Sequence, residues 1–506
     1  MKLKIEKIQG SANKTLIKLI AKGGIIVFIG SMIGRALRFI FYIILIRVLG
    51  ASVYGLYSIG QSLVDIATNI GLLGDGRGMI RFAAGYVYNK DAPRIKGIIL
   101  SYLYTSFFIS LAMAVLIFIS AKTLSTYIIH DQSLAWVFKL FSIALPFYIF
   151  SLTCVPIGYA FHKIKYKVIM QEIFQPVSGI ITIIIIFAIG AKLYGAITGF
   201  IISSILSALL CCYLIKNVFP EIVSKAPLIM QVKKLLFYSF PIMGVTFCYY
   251  LLFRLDKIML GAFTSSYDVG IYSAASNTAM FMITFSTIFE PSILPIISQL
   301  YHNNENKELE RVFSCVTFWG ISLMFIPCLV LIIFNQEILS LFGTDFKAGG
   351  WALIILCLSL LIETIPGQIR QLLQMSSRQT LELINSIAIV VVNISLNLIL
   401  IPHLGIFGAA LAVFFSLLFI SIVRLIETNI IFGFNTFTLK YIKFIVFIIC
   451  AVAIGILSSL NKSISVKIFS VITITSAYIW LAFKNKSEED ILIWNSIRSK
   501  LKFKYE

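Results

Sequence analysis

A charged side chain inside an apolar helix costs roughly 2.5–3.5 kcal/mol on insertion scales, so it marks either a protein partner or a wet cavity. Such charges fall here at Arg35 and Arg38, at Arg254, Asp256 and Lys257, and at Asp65, Asp75, Glu172, Glu290 and Glu363. Arg35 and Arg38 stand three residues apart and share one face of a helix. A guanidinium fork holds phosphate bidentately, so this pair suits an anionic headgroup. Neutralisation by a structural carboxylate such as Asp65 or Asp75 fits the pair equally well. Arg254 lies near a predicted helix end, where it could snorkel with Asp256 as a plain partner. Glu290 is followed by Pro291, and Glu363 precedes Pro366-Gly367. A carboxylate beside a broken helix is a fair site for H⁺ or Na⁺ in a conformational cycle. Asp65, Glu290 and Glu363 sit deepest and lead for that role. For any single one of them, a buried salt bridge or a protonated, hydrogen-bonded acid is the commoner explanation.

The chemistry that is missing narrows the field. The sequence has no G-x-x-x-x-G-K-[ST] loop, and no H-E-x-x-H or G-x-S-x-G element. Self-contained ATP hydrolysis and the common hydrolase chemistries therefore have no motif to stand on. Eight cysteines lie in apolar segments and four histidines form no ligand-spaced cluster, so neither a disulfide framework nor a metal site is expected. No cofactor is expected beyond a coupling ion.

The elements that must carry these charges are membrane helices. Of 506 residues, 59% are hydrophobic and 13% charged, against about 25% charged in a soluble protein. Apolar runs of about 20 residues, the length that spans a bilayer as a helix, recur along the chain. The reading is an all-α polytopic membrane protein of about fourteen spans. Residues 1–24 form a basic cytoplasmic arm and 25–216 a six-helix lobe. Residues 217–233 form a cytoplasmic linker and 234–430 a second six-helix lobe. Two more helices follow in 431–484, and 485–506 is a basic amphipathic tail for the inner leaflet. With both termini in the cytoplasm, most of the 42 Lys and Arg fall in inside segments, as the positive-inside rule requires. The net charge of +20 thus points to a membrane surface and to no nucleic acid. Gly30 and Gly34, on the helix of Arg35, allow a neighbouring helix to come close.

The chain also repeats itself. Arg47-Val48-Leu49-Gly50, then Tyr54-Gly55-Leu56-Tyr57-Ser58, is echoed by Asp256-Lys257-Ile258-Met259-Leu260-Gly261, then Val269-Gly270-Ile271-Tyr272-Ser273. Near the end of each lobe, Leu193-Tyr194-Gly195-Ala196 resembles Ile406-Phe407-Gly408-Ala409. A nearly constant offset of this kind, 211 to 215 residues, signals a duplicated unit. Six helices per unit give both copies the same orientation, related by an axis along the membrane normal. Helices 1 and 7 would then line one central cationic cleft.

Six plus six plus two helices, together with these two phrases, resemble the multidrug/oligosaccharidyl-lipid/polysaccharide exporter superfamily, and within it the polysaccharide transporter branch. The resemblance covers roughly residues 15 to 485. It implies a non-enzymatic O-antigen or capsular repeat-unit flippase of the bacterial inner membrane, working by alternating access between two lobes that form a V-shaped cleft. The implied partners are membrane lipids and an undecaprenyl-pyrophosphate-linked oligosaccharide, with a polysaccharide polymerase and a chain-length regulator alongside. On that picture Arg35, Arg38 and Arg254 meet the pyrophosphate, while Asp65, Asp75, Asp256, Glu290 and Glu363 serve as ion-coupling groups or charge partners. Alternatives are a lipid II flippase and a drug/cation antiporter of the same superfamily. The arginine pair and the two extra helices count against the antiporter, and short outside loops count against a membrane polymerase.

Overall fold

The computed structural model describes residues 2–484 apart from 162, 164, 189, 219–226, 287–299, 302–304, 367–368, 376–377, 434–438 and 462. Among the described residues there is no strand, and ten helices are long and apolar enough to cross a membrane. Two of these, Gly30–Gly71 and Thr380–Phe432, run to 42 and 53 residues. At 1.5 Å per residue these are about two and nearly three times the hydrocarbon thickness. Each contains one residue off helical geometry, Gly50 (φ 72°) and Gly405 (φ 52°). Positive φ is strained for any side chain with a Cβ, which is why glycine stands at both breaks. The first break thus falls at a single residue, Gly50, within the Leu-Gly of the first echoed phrase. Large apolar side chains face outward along the spans, for example Phe108 (62% exposed) and Ile119 (74%) in Ala92–Ile128. Lipid, not water, is the solvent that suits them.

Contacts divide the chain into two compact units. The first holds Met1–Ser273 with Asn397–Ile406. It comprises α1 (Lys2–Gly71), α2 (Arg77–Tyr88), α3 (Ala92–Thr123), α4 (Leu134–Leu152), α5 (Cys154–Ala160), a π-helical stretch at Val168–Phe174, α6 (Gln175–Ala188), α7 (Leu193–Val218), α8 (Val232–Phe263) and most of α9 (Ser266–Ala279). Its core joins Met79, Ile98, Tyr102, Ile157 and Leu235 from α2, α3, α5 and α8. The second unit holds Ala274–Leu396 with Phe407–Glu506. It contains α10 (Asn306–Ile333), α11 (Gly350–Glu363), most of α12 (Gln379–Phe432), α13 (Leu439–Ser459) and α14 (Ile464–Lys484). Here α13 and α14 dock on α10 through rings. Phe318 meets Phe444 and Phe325 meets Tyr478, both at 4.7 Å, while the Tyr478 hydroxyl donates to Ser322 Oγ at 2.6 Å. Lys467 of α14, itself buried, reaches Glu337 at 2.7 Å.

The echoed phrases meet in space within the first unit. Ser58 Oγ donates to Ser273 Oγ at 2.6 Å, 215 residues apart. A Cβ on Gly55 would strike the Ser266 carbonyl, and one on Gly270 would fall 3.2 Å from Ala51 Cα. Two backbones therefore cross at their glycines, and Ser58 meets its own counterpart in the echoed phrase.

Candidate functional site

The first arm of α1 carries Arg35, Arg38 and Tyr42 at spacings of three and four, so all three share a face. That face meets the π-helical stretch. A Cβ on Gly34 would lie 2.7 Å from Glu172 Cα, and Gly30 lies against Val168 in the same way. The glycines thus bring a carboxylate to the arginines. Arg38 pairs with Glu172, donates to the Gln171 carbonyl at 3.2 Å, and keeps 45% of its side chain exposed. Ser31 Oγ also donates to Glu172 Oε1, at 3.4 Å. Arg35 lies within electrostatic reach of both Arg38 and Glu172, yet it makes no hydrogen bond or ion pair with a described residue. The carboxylate that serves this pair is thus Glu172, and neither Asp65 nor Asp75.

Asp65 stands in the second arm of α1, four residues after Gln61, whose amide donates to it at 3.1 Å. Its other oxygen takes Arg254 Nε of α8 at 2.9 Å, with side-chain exposures of 15% for Asp65 and 21% for Arg254. One turn further along α1, Asn69 accepts from Thr246 of α8 at 3.3 Å. The expected Arg254–Asp256 partnership is replaced by this cross-helix pair, because residues two apart on a helix such as α8 project to nearly opposite faces. Asp256 is buried and instead accepts from the Tyr272 hydroxyl and from the Lys257 backbone N–H, the latter at 2.8 Å.

Asp75 lies outside the helix that was predicted to carry it. It sits in a turn of left-handed residues, Leu73 to Gly76, with φ 58°. Burial pushes its carboxyl above the usual range, and neighbouring Arg77 pulls it back. Glu363 ends α11 in the second unit, partly buried. Glu290 lies outside the described residues.

Sequence reasoning missed several groups. In the second unit, buried Arg424 pairs with Glu382 at 2.9 Å, and Asn385 donates to Glu427 at 2.8 Å. Both links join positions 42 apart on α12, and such pairing leaves no local trace in sequence. Around Asp65 the structure gathers Tyr42, Tyr148 and Tyr250, each within electrostatic reach of that carboxylate. Among the described residues, no group of three or more His, Cys, Asp or Glu could hold a metal ion. The first unit thus combines a guanidinium with no hydrogen bond or ion pair among the described residues, a second that is half-exposed, and a third held by a carboxylate. This arrangement can bind an anion.

The family model described as polysaccharide biosynthesis protein matches residues 20–301, and the MatE family model matches 241–399. The probable low-salt glycan biosynthesis flippase Agl15 of Haloferax volcanii is 30% identical over 159 residues, 31% of this chain and 34% of that protein. The probable flippase AglR of the same organism is 29% identical over 170 residues, 32% of this chain and 35% of that protein. The chain therefore spans about a third of the length of these curated relatives. Among solved structures, the lipid II flippase MurJ in an inward closed conformation superposes with TM-score 0.69 at 16% identity, covering 90% of this chain and 98% of MurJ. An inward-facing multidrug resistance MATE family transporter superposes with TM-score 0.65 at 14% identity, covering 79% of this chain and 94% of the transporter. At such identities these two matches show the fold.

Proposed function

The chain belongs to the polysaccharide biosynthesis protein family, and from that premise we propose that it is a flippase moving a polyprenyl-diphosphate-linked oligosaccharide across the cytoplasmic membrane. The observation that carries this reading is Arg35, a guanidinium inside an apolar helix with no hydrogen bond or ion pair to a described residue. Keeping such a charge in a membrane is costly, and the cost is offset when an anionic ligand binds it. A diphosphate presents two phosphates to Arg35 and the half-exposed Arg38, and the lipid tail stays in the bilayer. The names of the Haloferax relatives agree with a lipid-linked glycan as cargo. The finer reading is an undecaprenyl carrier bearing a surface-polysaccharide repeat unit such as O-antigen or capsule. A gradient of H⁺ or Na⁺ would drive the cycle, since the sequence offers no nucleotide-binding loop.

The test is transfer in liposomes. Purified protein is reconstituted with a fluorescent polyprenyl-diphosphate oligosaccharide, and movement is read as loss of signal to an external quencher. Protein-dependent transfer that falls about tenfold or more in Arg35→Ala supports the reading. Absence of transfer with several glycans, alongside export of a cationic dye, would replace it with the drug antiporter.

A further inference from the structure

We propose that Tyr42, Tyr148 and Tyr250 form a carbohydrate subsite around the Asp65–Arg254 pair, taking pyranose units next to the diphosphate. The inference rests on the flippase reading and says where in the first unit the sugar is held.

The argument begins with what tyrosine hydroxyls do elsewhere in this protein. Tyr272 donates to Asp256, Tyr478 to Ser322 at 2.6 Å, Tyr86 to Gln231 at 2.6 Å and Tyr102 to the Leu72 carbonyl at 3.4 Å. Such pairing is favoured, because a phenol held among helices without an acceptor forfeits a hydrogen bond. Tyr42, Tyr148 and Tyr250 depart from it, as do Tyr57, Tyr159 and Tyr238 among the described residues, but the first three share one neighbourhood. They come from α1, α4 and α8, all three are partly exposed, and none makes a hydrogen bond to a described residue. They are also not scattered. Tyr42 and Tyr250 are within electrostatic reach of both Asp65 and Arg254, and Tyr148 of Asp65, Arg38 and Tyr42.

The surrounding groups fit a sugar better than a lipid tail or a cationic drug. Asp65 accepts and Gln61 and Arg254 donate, all partly exposed, which matches the mixed donors and acceptors of a polyol. Tyr148 packs on Phe200 at 5.2 Å, which in turn meets Phe141 at 5.5 Å. That backing fixes a ring of the kind against which the apolar C–H face of a pyranose stacks. A tail would leave the ion pair and the hydroxyls unused. A cationic drug would meet Arg35, Arg38 and Arg254 on the same unit. Few polar groups converging among aromatic walls is the usual make-up of a small-ligand site.

The test separates sugar from diphosphate. Farnesyl diphosphate is compared with its conjugates to glucose, N-acetylglucosamine and glucuronic acid for binding to purified full-length protein in detergent. The comparison is made in wild type and in the triple variant Tyr42→Phe/Tyr148→Phe/Tyr250→Phe. The variant keeps every ring and breaks no hydrogen bond to a described residue, so its thermal unfolding should match wild type. At least one sugar should tighten wild-type binding about tenfold or more over farnesyl diphosphate, and the variant should lose that gain while binding farnesyl diphosphate normally. A sugar gain that survives in the variant, or no gain with any of the three sugars in wild type, overturns the subsite. Sugar-dependent binding with no contribution from the diphosphate would instead count against the flippase reading and leave the subsite standing.

Discussion

Asp65→Asn removes one charge of the pair that joins α1 to α8 and leaves Arg254 uncompensated. Breaking a buried ion pair by losing one partner costs about 3–5 kcal/mol. Exposures of 15% and 21% leave some access to polar surroundings, which lowers the expected cost to about 2–3 kcal/mol. The measurement is reversible denaturant unfolding of the purified protein in micelles, run as a double-mutant cycle with Arg254→Gln and the double variant. The single changes should each destabilise, and the double should be less damaging than their sum by about 2 kcal/mol. The same substitution frees Arg254, so Asp65→Asn should bind farnesyl diphosphate more tightly even as it unfolds more easily. Additive single effects, or an Asp65→Asn variant within about 0.5 kcal/mol of wild type, would refute the claim that this pair holds the helices together.

Arg35→Gln should show the opposite pattern: diphosphate binding falls about tenfold, while unfolding stays unchanged or shifts upward, since no hydrogen bond or ion pair to a described residue is lost. A parallel loss of stability would mean Arg35 is structural. Gly55→Ala drives a methyl into the Ser266 carbonyl and should cost at least about 2 kcal/mol, read as lost folded yield, while the same change at Gly85, which faces open space, should not. Glu382→Gln strands Arg424 at 9% side-chain exposure and should cost about 3–5 kcal/mol, with faster hydrogen exchange confined to α12 and its neighbours. For Asp75 the folded pKa is raised, so its unfavourable contribution is absent below the unfolded value, near pH 4, and grows as pH rises through the folded value. Asp75→Asn should therefore be the more stable protein at neutral pH and match wild type in acid, and asparagine tolerates the left-handed φ there. Equal stability at pH 7 would mean the carboxyl is adequately solvated.

The helical, membrane-spanning character was legible because apolar runs of bilayer length depend only on local sequence. Gly30 and Gly34 correctly announced a close neighbour, whereas the break at Gly405 is seen only in the structure. Arg35 and Arg38 stood out because charge is conspicuous in such runs. Pairing was not legible. Glu172 was visible as a carboxylate, but its approach to Arg38 depends on two glycines and a π-helical stretch well over a hundred residues away. Asp65 was matched to the wrong arginines, since a carboxylate's spacing along its own helix does not say which helix it faces. Tyr42, Tyr148 and Tyr250 drew no notice because tyrosine is common at membrane interfaces, and a missing hydrogen bond is a property of three dimensions.

The crossing at Gly55 and Gly270 has an evolutionary consequence. A residue that touches its own counterpart lies on a local two-fold axis, as Ser58 does with Ser273. Had the two copies once been separate chains, that contact would have been one serine meeting itself across an isologous dimer interface. Gene fusion then releases the constraint that both partners stay identical, and either site may drift provided the other follows. Among descendants of the fused gene, positions 58 and 273 should therefore co-vary as a pair, and 55 and 270 should lose their glycines together or not at all.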